Sequence, residues 1–181
     1  MADDRLTSLD WVNAGLKALA RSGFTALKAD TLSKALGVSR GSFYWHFADV
    51  GAFHAAVLQH WREVAYDNVV QEVEGTAENR LSALLERAFR ADMRLERAVR
   101  SWATAEAKAR AMVEAVDARR LEYIRALLVE AGLASNQAAA RARILYWAYL
   151  GRGLSTDKPD PADVRRILDE LGRLAATAKT A

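Results

Sequence analysis

The side chains best suited to chemistry are crowded into one short segment of the chain. Arg40, Gly41 and Ser42 are hydrogen-bonding or small residues, and such residues can approach the edges of bases. Tyr44 carries a hydroxyl group that can reach a phosphate, whereas Phe43 is apolar and is expected to face the protein core. The segment therefore predicts a nucleic-acid contact. On spacing alone, a corner between two helices that binds no DNA stays the alternative.

Residues that would support catalysis or bind a metal are scarce. The chain contains no cysteine, and its three histidines are His46, His54 and His60. No two of them have the spacing of a helical zinc motif, and no nucleophile stands next to a general base. We therefore expect no catalytic residue, no metal site and no cofactor, and we predict that the protein is not an enzyme.

Two short helices joined by a tight turn are predicted to position this segment. The sequence indicates a helix over 30–36, a turn at Gly37 and a second helix that Ser39 caps. Two helices joined by a short turn that contains glycine form the helix-turn-helix pattern of DNA-binding proteins. A further helix predicted over 9–21, with Ser8 as its N-cap, supplies a third element.

Basic charge is concentrated in the same region. The protein carries 26 basic and 23 acidic residues, a net charge of +3. Residues 11–47 contain one acid, Asp30, and five bases, which gives this segment a charge of +4. The five bases are Lys17, Arg21, Lys28, Lys34 and Arg40. A basic N-terminal quarter favours an anionic partner.

The stretch from Ala35 to Phe47, ALGVSRGSFYWHF, resembles the recognition segment of TetR-family (tetracycline-repressor-like) transcriptional regulators. In that family the segment has a characteristic order of residues. It begins with a small residue and Gly-Val-Ser, and it continues with two variable positions, Thr or Ser, Leu, Tyr, a variable residue, His or Tyr, and Phe. The alignment extends without a gap from residue 9 to about residue 58. The resemblance implies an all-α fold and a sequence-specific DNA-binding regulator, by default a repressor that binds a palindromic operator.

The resemblance also implies which residues meet double-stranded DNA. By position, the groups expected at the major groove and its flanking phosphates are Lys28, Ser39, Arg40, Gly41, Ser42, Tyr44, Trp45 and His46. Three positions depart from the family pattern: Lys28 or Ala29 stands for Thr or Ser, Asp30 for Arg, and Val50 for a phosphate-binding Lys. Asp30 would repel a phosphate, and its two alternative roles are to cap its helix or to accept a hydrogen bond from a cytosine amino group.

Beyond this segment the chain predicts further helices and no strand. It has two prolines and 10 glycines in 181 residues, 51% of which are hydrophobic, and this excludes a disordered chain or a turn-rich β-sandwich. We predict an all-α protein of about nine helices, with a helix-turn-helix domain at 1–48 and a helical effector-binding and dimerisation domain at 49–181. No run of 18 apolar residues occurs, so we expect a soluble, cytoplasmic protein without a membrane partner.

The family resemblance further implies a homodimer formed by the last two helices and a pocket for a small effector. Small side chains on the helix predicted over 136–151 allow close helix approach, and an apolar stripe from Val164 to Leu174 can complete a four-helix interface. Alternatively, both faces close the core of the monomer. The effector is expected to be hydrophobic or aromatic, and the candidate lining residues are Phe89, Met93, Trp102, Met112, Tyr123 and Trp147.

The fourth helix, expected from about Val50 to about Val73 with Asp49 as its N-cap and Gly75 just beyond it, is the predicted link between DNA and effector. It starts next to the recognition helix and ends in the second domain, so a ligand that shifts it would change DNA binding. A helical protein-interaction module without DNA binding is the alternative function. That alternative leaves the segment from Ser39 to Phe47 unexplained.

Overall fold

The computed structural model describes residues 6–76, 79–157 and 159–175, and these segments are helical and contain no strand. The first four helices are α1 (Ser8–Ser22), α2 (Ala29–Leu36), α3 (Arg40–His46) and α4, which consists of Val50–Arg62, a π-helical turn at Glu63–Asp67 and Asn68–Glu74. The remaining helices are α5 (Arg80–Arg90), α6 (Arg94–Ala105), α7 (Ala107–Glu130), α8 (Ser135–Leu154) and α9 (Pro161–Ala175). The predicted all-α fold is confirmed, and so is the expected number of about nine helices, since the described residues form nine when α4 is counted as one.

Capping side chains fix the N-terminal ends of α1 and α4. Thr7 is the N-cap of α1, because its hydroxyl oxygen accepts from the amide of Asp10 at 3.2 Å while the Asp10 carboxylate accepts from the Thr7 amide at 2.7 Å. The prediction that Ser8 caps this helix is therefore wrong by one residue: Ser8 already lies inside it. Asp49 caps α4 as predicted and accepts from the amide of Ala52 at 2.7 Å.

The helices group into two compact units. One contains the described residues of Met1–Ala65 and Met93–Glu114, and the other contains those of Tyr66–Asp92 and Ala115–Ala181. Helix α6 thus belongs to the same unit as the helix-turn-helix, although it lies far along the chain. The functional boundary predicted at residue 48 is a different division and stays a prediction.

Aromatic rings form the centre of the first unit. The ring of Phe43, which is fully buried, lies edge-on to Trp11 with centroids 5.3 Å apart and to Phe53 at 5.2 Å. These contacts join α1, α3 and α4. Helix α6 packs along α1, and its Trp102 stacks on Phe24 of the short 3₁₀ turn before α2, with centroids 4.8 Å apart.

The second unit has an apolar core contributed by α5, α7, α8 and α9. Its buried residues are Leu81, Leu85, Phe89, Leu127, Leu128, Leu133, Ala138, Ala142, Leu145 and Leu171. Ala138 and Ala142 lie in this core, so part of the small-residue face of α8 closes the monomer rather than an interface. Leu174, the last member of the predicted stripe on α9, lies outside the residues whose side chains are described. None of the helices in the described segments is both long and apolar enough to cross a membrane.

Candidate nucleic-acid interface

The turn between α2 and α3 depends on one glycine. Gly37 adopts a left-handed conformation, with φ 69° and ψ 27°, which side chains with a β-carbon rarely tolerate. Its amide donates to the carbonyls of Ser33 and Lys34, and the amide of Val38 donates to the Ser33 carbonyl at 3.0 Å. This pattern satisfies the last carbonyls of α2 and redirects the chain at once into α3. The predicted helix-turn-helix is therefore present.

Helix α3 is held to the protein by one side and presents the other to solvent. Phe43 is its buried anchor, whereas Tyr44 is 43% and Trp45 79% exposed. Ser39 occupies the N-cap position as predicted, but its hydroxyl makes no capping hydrogen bond; the amide of Ser42 donates to the Ser39 carbonyl at 3.0 Å instead. Seven of the eight residues predicted to meet DNA are exposed, and Ser42 is half-buried. Their contact with DNA stays a prediction.

Arg40 is held between the two helices of the motif. Its Nε lies 3.3 Å from Oδ1 of Asp30 on α2, and its Nη2 donates to the hydroxyl of Tyr44 one turn along α3 at 3.1 Å. The hydrogen bond to Tyr44 and the charge of Asp30 raise the pKa of the Arg40 guanidinium above its ordinary value. Arg40 is therefore a fixed cation on the exposed side of the motif.

The two alternatives for Asp30 are resolved in part. The N-cap of α2 is Lys28, which makes no side-chain capping hydrogen bond, and Asp30 lies inside the first turn. The hypothesis that Asp30 caps its helix is therefore wrong. Asp30 pairs with Arg40 instead, and the sequence pattern did not indicate this partner. Lys28 is exposed, and Val50, which replaces the expected lysine, is the half-buried first residue of α4.

The six candidate effector residues are divided equally between the two units. Met93 and Trp102 are buried and Met112 half-buried in the first unit. In the second, Phe89 is part of the apolar core, Tyr123 is half-buried and Trp147 is 63% exposed. That they line a pocket stays a prediction.

Two of these candidates make contacts that the sequence did not indicate. The Tyr123 hydroxyl donates to Glu74 at 2.7 Å, and burial together with this carboxylate raises the pKa of the phenol. The Trp102 ring meets Phe24 face to face and His54 edge-on, with the His54 centroid 5.4 Å away. Such pairs join residues far apart in sequence, and no local pattern predicts them. In the described part of the chain, no group of three His, Asp or Glu side chains is arranged to hold a metal ion.

The helix-turn-helix segment matches a known family. Residues 12–49 match the model of the bacterial regulatory proteins of the tetR family. This range includes α2, the turn, α3 and most of α1. No curated protein matches the chain.

Solved structures share the fold over nearly the whole chain. A transcriptional regulator of the TetR/AcrR family has a similar structure, with a TM-score of 0.77 at 18% identity. The match covers 93% of this chain and 97% of that protein's chain. A transcriptional regulator from Pseudomonas aeruginosa PAO1 gives a TM-score of 0.69 at 18% identity, with coverage of 94% and 93%. A TetR-family member from Streptomyces coelicolor A3 gives a TM-score of 0.61 at 22% identity, and the match covers 89% of this chain and 95% of that protein's chain. At these identities the likeness is one of fold.

Proposed function

We propose that this chain, whose residues 12–49 match the tetR-family model, is a transcriptional regulator of that family that places α3 in the major groove of a specific operator. The observation that carries the proposal is the two-sided character of α3. Phe43 anchors the helix in an aromatic core, while Arg40, Tyr44 and Trp45 lie exposed on it. A short helix fixed in this way can enter a groove without losing its packing.

The charges of the first unit support an anionic partner. All five bases of residues 11–47 are exposed, and they are Lys17, Arg21, Lys28, Lys34 and Arg40. Because Asp30 is paired with Arg40, the segment presents little unpaired negative charge to a phosphate backbone. Such a regulator is not an enzyme, and it works in the cytoplasm, where bacterial DNA lies.

The dimer we propose uses α8 and α9. Ile144, Trp147 and Leu154 are 51%, 63% and 79% exposed, and at 100° per residue they fall on one stripe of α8. On α9, Ile167 is 40% exposed. Exposed apolar residues in such a stripe favour burial against another chain. A two-fold axis through this surface would give an inverted-repeat operator with half-sites about 34–36 Å apart, or a multiple of that distance.

Repression relieved by a small hydrophobic or aromatic effector completes the proposal. Helix α6 supports it, because α6 packs along α1 and its Trp102 stacks on Phe24 just before α2. A ligand that displaces α6 would therefore disturb the helices that hold α3. Helix α6 would then transmit the effect of the ligand to α3 in addition to α4, the helix predicted from the sequence to do so.

The proposal is tested by selecting bound DNA from a random pool with the full chain. We expect one inverted repeat to be enriched, which gives the site, its symmetry and the half-site spacing together. A helical protein-interaction module, the alternative function, would enrich no sequence. Failure to enrich any sequence at low salt would contradict the proposed function.

A further inference from the structure

We propose that Asp30 is a specificity-determining residue of this DNA-binding surface. It positions the guanidinium of Arg40 for a base edge, and it weakens the attraction of the same surface to phosphates. The inference rests on the proposed function and goes beyond it, because it assigns a role to the one acidic residue of the basic segment.

The geometry leaves one edge of the guanidinium available. Arginine has five N–H donors in a planar fork. The Asp30 carboxylate lies beside Nε, at 3.3 Å, and the Tyr44 hydroxyl accepts from Nη2 at 3.1 Å. These contacts lie on the edge formed by Nε and Nη2, and they leave both N–H groups of Nη1 and one N–H group of Nη2 for a further partner. Two of these donors can match O6 and N7 of a guanine.

Holding Arg40 from two sides favours this base contact in a second way. A long flexible side chain loses rotamer freedom when it binds, and Arg40 has already lost part of it in the free protein. The guanidinium also lies over the Tyr44 ring, with 5.6 Å between its carbon and the ring centroid. The side chain is thus restrained by groups from both α2 and α3.

The charge of Asp30 acts in the opposite direction on phosphates. Non-specific binding depends on cations that replace the counterions of DNA, and it rises with each additional cation at the backbone. A phosphate that approaches Arg40 also meets the Asp30 carboxylate, so the pair attracts it less than Arg40 alone would. The edge of a guanine base carries no net charge, so the Asp30 carboxylate opposes its approach to Arg40 less than it opposes that of a phosphate.

A merely structural role does not account for the pair. The side chains of Arg40 and Asp30 are 61% and 63% exposed, and ion pairs with this exposure contribute little to stability. Asp30 does not cap α2. Its contact with Arg40 therefore matters chiefly for what Arg40 can bind.

The test compares Asp30→Ala with the unmodified chain on three kinds of duplex: the selected operator, operators changed at single base pairs, and a scrambled sequence. We expect Asp30→Ala to bind the scrambled duplex more tightly and with a salt slope steeper by about one unit, since Arg40 becomes a free cation. The operator-to-scrambled affinity ratio should fall about tenfold, the effect of losing one base contact. Asp30→Glu, which keeps the charge, should leave binding to the scrambled duplex nearly unchanged.

Two further variants separate positioning from charge alone. Glu114→Ala removes an exposed carboxylate from the same unit, outside the helix-turn-helix segment, and should leave the affinity ratio unchanged. In an Arg40→Ala background, Asp30→Ala should no longer alter discrimination at any base pair. Circular dichroism melting of each variant establishes that it is folded.

The outcomes distinguish this inference from the proposed function. A chain that selects no DNA would overturn the proposed function and, with it, the role of Asp30. A chain that selects an operator, but whose affinity ratio is the same with and without the Asp30 carboxylate, would overturn only the inference. So would an equal effect of Asp30→Ala in the presence and absence of Arg40.

Discussion

A β-carbon built on Gly15 of α1 would lie 2.8 Å from Cζ of Phe53 on α4, closer than such atoms approach in proteins. The next contact would be Cγ2 of Val57 at 3.0 Å. The two helices thus approach each other at a residue without a side chain. Phe53 in turn contacts Phe43, so this approach helps to fix the anchor of α3.

Gly15→Ala is expected to destabilise the protein. The added methyl group must displace the Phe53 ring in a packed core, which costs about 1–3 kcal/mol, and the better helix propensity of alanine offsets up to about 1 kcal/mol of that cost. Urea unfolding followed by circular dichroism measures the difference. The matched control is Gly172→Ala on α9, where a β-carbon would meet no described atom within 4 Å and stability should not fall. Equal effects of the two substitutions would contradict the close approach.

Helix ends and the motif were predictable because their signals are local. Asp49 caps α4, and Gly75 ends it, as the sequence indicated. The N-cap of α1 is Thr7 and not the predicted Ser8, because the reciprocal hydrogen bonds with Asp10 form at Thr7. No glycine or proline marks the π-helical turn at Glu63–Asp67, whose sequence is EVAYD.

Contacts between distant residues were not predictable. The ion pair of Asp30 with Arg40 requires the angle between α2 and α3, which spacing alone does not give. Trp102 was a candidate for a pocket on residue type, and its stacking on Phe24 depends on the packing of α6 against the first unit. Trp147 was selected on the same grounds, and its exposure followed only from the fold.

Trp147→Glu is expected to separate the proposed dimer. A buried carboxylate without a partner opposes association strongly, so the dimer dissociation constant should rise at least tenfold. Sedimentation equilibrium at micromolar concentration measures this change. Val129→Glu on α7 is the control, because Val129 is also apolar and 41% exposed but lies outside α8 and α9. A chain that is monomeric without substitution, or one in which both variants weaken association alike, would contradict the proposed interface.

The folded state should lose stability in acid. Hydrogen bonds from Tyr123 and Arg80 hold the pKa of Glu74 below its ordinary value of 4.5. Glu74 in the unfolded chain then binds a proton more readily than in the folded protein. Its contribution to the free energy of unfolding is therefore complete above about pH 4.5 and is lost as the pH falls through the lowered pKa. The pKa values of Asp10, Glu63 and Glu122 are lowered as well.

Urea unfolding between pH 3 and 7, roughly the range over which carboxylates titrate, tests this prediction. Glu74→Gln should make the fall in stability between about pH 5 and 3 shallower than in the unmodified chain. A fall that is equally steep or steeper in Glu74→Gln would show that Glu74 does not carry this contribution.

An effector must weaken operator binding by the same factor by which operator weakens effector binding, typically about 5- to 150-fold. The five tryptophans allow fluorescence titration of a panel of small hydrophobic and aromatic compounds, with and without operator. Trp102→Phe should remove the fluorescence response to the effector, and Trp61→Phe should retain it, since Trp102 joins α6 to the turn before α2. A compound that binds equally well with and without DNA would contradict effector control through this contact.

The most direct test of whether α3 recognises the operator sequence is the ratio of affinities for the selected operator and a scrambled duplex at one salt concentration. We expect the unmodified chain to prefer the operator by about 10³-fold or more. Arg40→Ala should lose about 1–3 kcal/mol of discrimination at one or two base pairs only, while Arg21→Ala, which removes an exposed charge from α1, should not change base preference. Equal affinity for the two duplexes, or a uniform loss in Arg40→Ala at every base pair, would contradict the account.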